Sequence, residues 1–460
     1  MFPTSRLPRA AVTRALTVAA VVLAGVAAAP TGSAGLPRPA IRGAGSASAI
    51  PGSYIVKLKD TPLMGARGVA SRARTLSGGY HGQLGYVWER ALHGFSVTMR
   101  EGDAQRLAAD PDVDYVEQDQ LRMAAARPKV QQSIPPAGTR ALPGVAPHLD
   151  IHGQSDAVAS AEAAPGGTPA AAQTPVSWGL DRIDQHTLPL DNHYSYDDSA
   201  GQGVHVYIVS SGINISHPDF GGRAAYGPNF VNDGQPNSDD CAGRAGTEEA
   251  GVIGGAQYGV AKKASLIAVR IFGCDGLGPA TGILDGFNWV ISNAIRPAVI
   301  NFDLNDLCFD PDTGNEVLCD PATRQTLISA QETAFAAGIA VITDAGNHAI
   351  DTCGNSSGAA PDSLYIGATT SSDAKQSSSN FGPCLTMWAP GDSVTTDEGT
   401  GTAVDSGTQL ASAYVAGAVA LFMGKPEFAG ATPGQIRTEL VTNRSTSGVI
   451  SGLILQPHLP

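Results

Sequence analysis

Two textures of hydrophobic patterning divide the chain. In G-S-Y-I-V-K-L-K-D from Gly52, apolar and polar positions alternate as in a half-buried strand. Arg67–Leu76 has helical spacing, G-F-S-V-T-M-R from Gly94 alternates again, E-G-D-A-Q-R-L-A-A-D from Glu101 opens a short helix, and V-D-Y-V-E-Q-D closes as a strand. These five elements fit the β-α-β-β-α-β order of a small ferredoxin-like α+β domain over residues 51–123. Beyond Trp178 the strands become continuous apolar runs: Val204–Val209, A-S-L-I-A-V-R-I-F from Ala264, P-A-V-I-N-F and I-A-V-I-T. Helical segments at Gly282–Asn293 and Thr326–Ala337 separate them. Alternation of buried strands and helices predicts an α/β fold with a doubly wound parallel sheet over residues 175–460.

The segments outside these units contain few large apolar side chains. Residues 124–174 are rich in Ala, Pro, Gly and Ser and cannot bury a core, so they read as a linker. Residues 1–34 read as a signal peptide: Arg6, Arg9 and Arg14 precede an apolar run from Ala15, and small residues permit cleavage near Ala29 or Ala34. Pro30 disfavours the first of these. The run is short for a membrane span, and none later is longer. Residues 35–50 form a tether. The expectation is a secreted, extracellular protein with no membrane association after signal removal. A net charge of -13 disfavours nucleic acid as a partner. The 6 cysteines, an even number in an exported chain, point to disulfides, and the absence of C-x-x-C spacing argues against zinc. The connectivity stays open at this level.

Several motifs then agree in order. They are W-G-L-D-R-I-D-Q from Trp178, G-Q-G-V-H-V-Y-I-V-S-S-G-I from Gly201, C-A-G-R-A-G-T-E-E-A-G from Cys241, Y-G-V-A-K-K from Tyr258 and D-A-G-N from Asp344. I-G-A-T-T-S-S-D-A from Ile366, S-N-F-G from Ser379 and S-G-T-Q-L-A-S-A-Y-V-A-G from Ser406 complete the set. Together they resemble the subtilisin-like serine proteases, in the proteinase K and aqualysin branch, over nearly all of residues 174–445. The domain before them resembles the inhibitory propeptide of that family. The resemblance implies a subtilisin-like parallel sheet preceded by a propeptide domain, in a family of serine endopeptidases.

Peptide hydrolysis in that family requires a hydroxyl that attacks, an imidazole that takes its proton and a carboxylate that orients the imidazole. The positions that match these roles depart from it. The aspartate position holds Ser210, which carries no charge. The histidine position is Arg244 counted forward from Cys241 and Ala245 counted back from Tyr258; neither is a base near neutral pH. The serine position holds Gln409, whose amide nitrogen is not nucleophilic. Asn347 matches the oxyanion donor. Asp303, Asn305 and Asp306 are expected to crowd the substrate groove, and Leu277 to alter its facing edge. The reading is a pseudoprotease that binds rather than cuts. Its alternative is an active endopeptidase with a displaced set, drawn from His348, Glu248, Glu249 and Gln409 or from Ser211 or Ser412.

The resemblance also implies supporting sites. Asp181, Asp184, Gln185 and Asp191 match a structural calcium site of the aqualysin-like branch, and calcium favours such clustered oxygens. No catalytic cofactor is implied. Cys241 is expected to pair with Cys274 and Cys353 with Cys384, leaving Cys308 and Cys319 to pair inside an inserted loop. The expected partners are the chain's own propeptide domain and, at the former cleft, peptides or proteins.

Overall fold

The structure is a computed structural model that describes residues 40–60, 66–125, 171–174, 176–231, 233–235, 245–304, 307–353 and 360–445. The expected signal segment, most of the linker, Cys241, Arg244, Asn305 and Asp306 lie outside these residues.

The first domain runs β1 (Ala49–Leu58), α1 (Ala66–Gly79), β2 (Gln83–Trp88), β3 (Gly94–Thr98), α2 (Glu101–Leu107) and β4 (Val113–Met123), in the order the alternation predicts. Period-two patterning in β1 serves two cores at once. Tyr54, Val56 and Leu58 pack with Val69, Leu76 and Leu107 beneath α1 and α2, whereas Ile55 faces the opposite way. The expected tether is already part of this sheet: Ile41 is buried, and Arg42 exchanges main-chain hydrogen bonds with Val116 and Gln118 of β4 at 2.9 and 2.8 Å.

The second domain opens with β5 (Ala171–Gln173), α3 (Trp178–Ile183) and β6 (Tyr194–Tyr196), followed by β7 (His205–Ser210), β8 (Ala224–Asn229), α4 (Ala245–Gly254) and β9 (Ser265–Arg270). Next come β10 (Leu277–Pro279), α5 (Ala280–Asn293), β11 (Ala298–Phe302), a hairpin β12 (Leu307–Asp310) and β13 (Asn315–Leu318), α6 (Arg324–Ala336) and β14 (Ala340–Asp344). The domain closes with β15 (Leu364–Thr369), β16 (Met387–Pro390), a hairpin β17 (Val394–Glu398) and β18 (Gly401–Asp405), α7 (Thr408–Gly424) and α8 (Pro433–Thr438). The main sheet has 7 parallel strands in the order β16-β15-β14-β11-β7-β9-β8. α4 and α7 cover one face and α5 and α6 the other. Nearly every residue of α7 is buried, so its sequence shows no polar stripe.

The two domains share a core. Ile55, Trp88, Ala91, Leu92 and Ala124 of the first pack with Phe272, Ile283, Leu284 and Phe287 of the second. Polar contacts line the same boundary. Asp119 accepts hydrogen bonds from the Thr281 amide (3.2 Å) and hydroxyl (2.8 Å) in the first turn of α5. Glu117 accepts from the Thr326 hydroxyl in the first turn of α6. Both carboxyls lie at helix N-termini, where the dipole favours negative charge, and Asp119 also satisfies a first-turn amide. Burial nevertheless pushes Glu117 up to about 8. Disulfides join Cys308 to Cys319 and Cys353 to Cys384; Cys274 is bridged as well. Among the described residues no helix is long and apolar enough to cross a membrane.

Candidate active site

The crevice lies where the strand order of the main sheet reverses. From β7, the chain reaches β9 on one side and β11 on the other. In open parallel sheets, the carboxyl ends of the strands at such a reversal form the ligand crevice. Ser210 ends β7, Ala245 begins α4, Asp303 follows β11, Asp344 ends β14 with Asn347 just beyond it, and Gln409 lies in the first turn of α7.

Ser210, Glu249, Asn301, Asp303 and Asp344 are fully buried. Ser210 Oγ lies 3.0 Å from Glu249 Oε1 and 3.0 Å from Asp303 Oδ2. One hydroxyl proton cannot serve two carboxylates, so one of the carboxyls must itself be protonated. Burial first, and the adjacent Asp303 charge second, hold the Glu249 pKa well above the ordinary carboxylate range. Asn301 Nδ2 donates to Glu249 Oε2 at 2.7 Å. Asp344 accepts from the Leu304 amide at 2.9 Å and the Gly346 amide at 3.2 Å. Ser210 thus links two buried carboxyls through its hydroxyl.

Gln409 is also buried. Its Oε1 accepts from Asn347 Nδ2 at 3.0 Å, and the side chain folds back so closely that a Cβ at Gly407 would lie 2.0 Å from this oxygen. Asn347 Nδ2 also donates to the Ala125 carbonyl at 3.2 Å. Asn347 Oδ1 accepts from the Thr408 amide at 2.9 Å. The donor expected to serve an oxyanion is therefore shared between a glutamine side chain and the main chain of the first domain.

That main chain occupies the groove. Leu121–Met123 run antiparallel to β10, with Leu277 opposite Met123, Gly278 opposite Arg122 and Pro279 opposite Leu121. A Cβ at Gly278 would lie 2.2 Å from the Ile271 carbonyl, so the close approach of the edge requires glycine. The Ala124 amide donates to Gly276 O at 2.9 Å, and the Ala125 amide donates to Asp303 Oδ1 at 2.6 Å. The expected crowding by Asp303 is corrected: this residue lies below the groove and receives the tail, because its carboxylate provides the acceptor that meets the Ala125 amide. Leu277 likewise leaves the edge able to pair with an extended chain.

Among the described residues, three side chains weighed from sequence for a displaced set have other contacts. His348 Nε2 meets Glu316 Oε2 at 2.8 Å. The Ser412 hydroxyl donates to Gln409 O within α7 at 2.9 Å, and Ser211 Oγ accepts from the Gly246 amide at 3.2 Å. Sequence reading named Glu249 only as a remote alternative and missed Asn301. The signal available was polarity: a glutamate beside Ala250 in a helix of buried residues, and an asparagine inside the apolar run A-V-I-N-F.

The acidic turn is built around two aspartates. Asp181 accepts from the Asp191 and Asn192 amides at 3.1 and 2.7 Å, and Asp184 Oδ2 accepts from the Ser195 amide at 2.6 Å. Asp191 accepts from the His193 amide at 3.0 Å. Among the described residues, Asp184 Oδ1 and Gln185 Oε1 are buried without a hydrogen-bond donor. Burial, reinforced by Asp191 and Asp181, pushes Asp184 up to about 7. Among the described residues no group of 3 or more His, Cys, Asp or Glu side chains is arranged to hold a metal unaided. A cation here would also need amide and main-chain oxygens.

Fold and site together define a subtilisin-like α/β domain whose groove is filled by its own N-terminal domain. Comparison with known proteins agrees. Residues 201–453 match the subtilase family (Peptidase_S8) and residues 53–125 match the peptidase inhibitor I9 family. The chain belongs to the subtilase family. It is 34% identical over 412 residues to the extracellular serine proteinase of Thermus sp. (strain Rt41A), covering 85% of each chain. It is 34% identical to alkaline serine exoprotease A of Vibrio alginolyticus, over 81% of this chain and 59% of that relative's length. The crystal structure of a cold adapted subtilisin-like serine proteinase superposes with a TM-score of 0.55 at 34% identity, covering 62% of this chain and 100% of that one.

Proposed function

We propose that this chain is a secreted pseudoprotease: a subtilase that binds polypeptide in its former cleft and does not hydrolyse it. The observation that carries the reading is Gln409. At the position of attack, a carboxamide accepts from Asn347, where catalysis needs a hydroxyl with a base beside it. Ala245 at the helix start and Ser210 between two carboxyls remove the other two roles. The cleft's occupant is the chain's own propeptide domain, which stays covalently attached. Binding and a preserved oxyanion donor alone leave a residual acceleration of about 10³–10⁴ over water, too little for a working protease. The test is hydrolysis of casein by the purified protein. No turnover is expected; turnover abolished by a serine-directed fluorophosphonate would overturn the proposal and favour a displaced catalytic set. The intact secreted protein should give a single mass beginning near residue 30–35.

Calcium is the proposed structural cofactor. Asp181, Asp184, Gln185 and Asp191 supply an oxygen-only donor set, and the unpartnered Asp184 Oδ1 and Gln185 Oε1 suit a hard cation. Bound calcium would offset the charge buried in this turn and fix the segment that follows α3.

A further inference from the structure

The inserted loop expected from sequence is a hairpin, and it joins the sheet of the other domain. This antiparallel sheet, built from strands of both domains, has the order β13-β12-β4-β1-β3-β2, with β10 also paired to β4. Cys308 of β12 stands opposite Arg122 of β4, while Gly278 of β10 stands opposite the same Arg122 on its other side. The end of β4 is thus a central strand, held along both edges by the second domain. The hairpin is stiffened by four residue pairs from Leu307–Leu318 to Asp310–Asn315 and by the Cys308–Cys319 bridge across its base. It is also tied to the site: Glu316 of β13 meets His348, next to the oxyanion-type donor Asn347, at 2.8 Å. Beside it, the fully buried Arg122 donates to the Thr323 hydroxyl at 2.8 Å.

We propose that the disulfide-bridged hairpin 307–319 is a latch that makes the propeptide domain a permanent subunit, retained even after the linker is cut. An edge strand offers main-chain hydrogen bonds to whatever extends its sheet. Here the hairpin supplies the second edge for β4, and the bridge prevents that edge from peeling away. Release would require β4 to leave two strands at once and to expose Ile55, Trp88 and Leu92 from the shared core. The proposal deepens the reading of an uncut, self-occupied cleft.

The experiment inserts a site for a sequence-specific protease between residues 126 and 170 of the full chain. The chain is cut there and passed over size exclusion with mass detection, alongside the Cys308→Ser/Cys319→Ser variant. The nicked wild type is expected to keep both pieces together over a day, and the double variant to release the propeptide domain at least tenfold faster. Shedding by the nicked wild type overturns the latch, and equal retention by both overturns the hairpin's role. If the double variant does not fold, hydrogen exchange on the intact wild type decides. Amides of 121–123 and 307–310 as slow as those of β11 support the latch; exchange faster than in β2 and β3 overturns it. A casein assay on the nicked sample separates the two proposals. Turnover with the propeptide retained defeats only the pseudoprotease reading, and release without turnover defeats only the latch.

Discussion

The centre of the cleft and its edges rest on different kinds of contact. At the centre, particular side chains meet one another: Ser210 lies between the Glu249 and Asp303 carboxyls, and Gln409 accepts from Asn347. The edges hold an extended strand as a subtilase groove should, with β10 on one side and an added hairpin on the other. Strand recognition uses main-chain groups that almost any sequence supplies. Catalysis depends on a few particular side chains and is lost when they change. Binding and cutting in this fold therefore rest on separable features, and the proposed function assigns this chain the first.

The sharpest way to break that contrast is to attack the shared core. Trp88→Ala should cost about 3–5 kcal/mol, because Trp88 is fully buried in the cluster that joins the domains. Denaturant unfolding should show one destabilised transition; separate melting of the first domain with the second unaffected would refute the shared core. Asp303→Ala removes the acceptor of the Ala125 amide and of Ser210. It should cost about 2–3 kcal/mol and raise hydrogen exchange at residues 124–125.

Smaller effects sharpen the comparison. Chelation of calcium should lower the melting temperature by about 5 °C, and Asp184→Ala should abolish the difference between calcium and chelator. Glu117, at the domain boundary, gives a pH signature. Its pKa is raised from 4.5 to about 8 in the folded chain, so folding takes up a proton there. That stabilisation is complete below pH 4.5 and is lost as pH rises towards 8. Glu117→Gln should flatten the decline of stability over this window. At the small end, Gln409→Ser should leave stability within about 1 kcal/mol and casein hydrolysis undetectable, since one hydroxyl without a base restores no relay.

Much of this was legible in the chain. Period-two alternation in β1 and continuous apolar runs in β7, β11 and β14 set strand types correctly, because burial on one or two faces imprints those patterns directly. Helix ends were less legible: Arg67–Leu76 is Ala66–Gly79 in the structure, since frayed termini carry little hydrophobic signal. Motif order directed attention to Ser210, Ala245 and Gln409. Their present partners could not be read from it, because hydrogen bonds to Glu249, Asp303 and Asn347 join residues distant in sequence.

The insert between Cys308 and Cys319 shows where the boundary falls. Its sequence alone determined that an extra loop with two cysteines interrupts the second domain, and motif order singled out Ser210, Ala245 and Gln409 as the residues to examine. Only the tertiary structure decided that the insert is a hairpin completing the sheet of the first domain, that Asp303 receives a main-chain amide, and that the first domain fills the cleft. The reason is physical. Local patterning records whether a residue faces a core or solvent, whereas strand partners and buried carboxyl pairs arise only when remote segments meet.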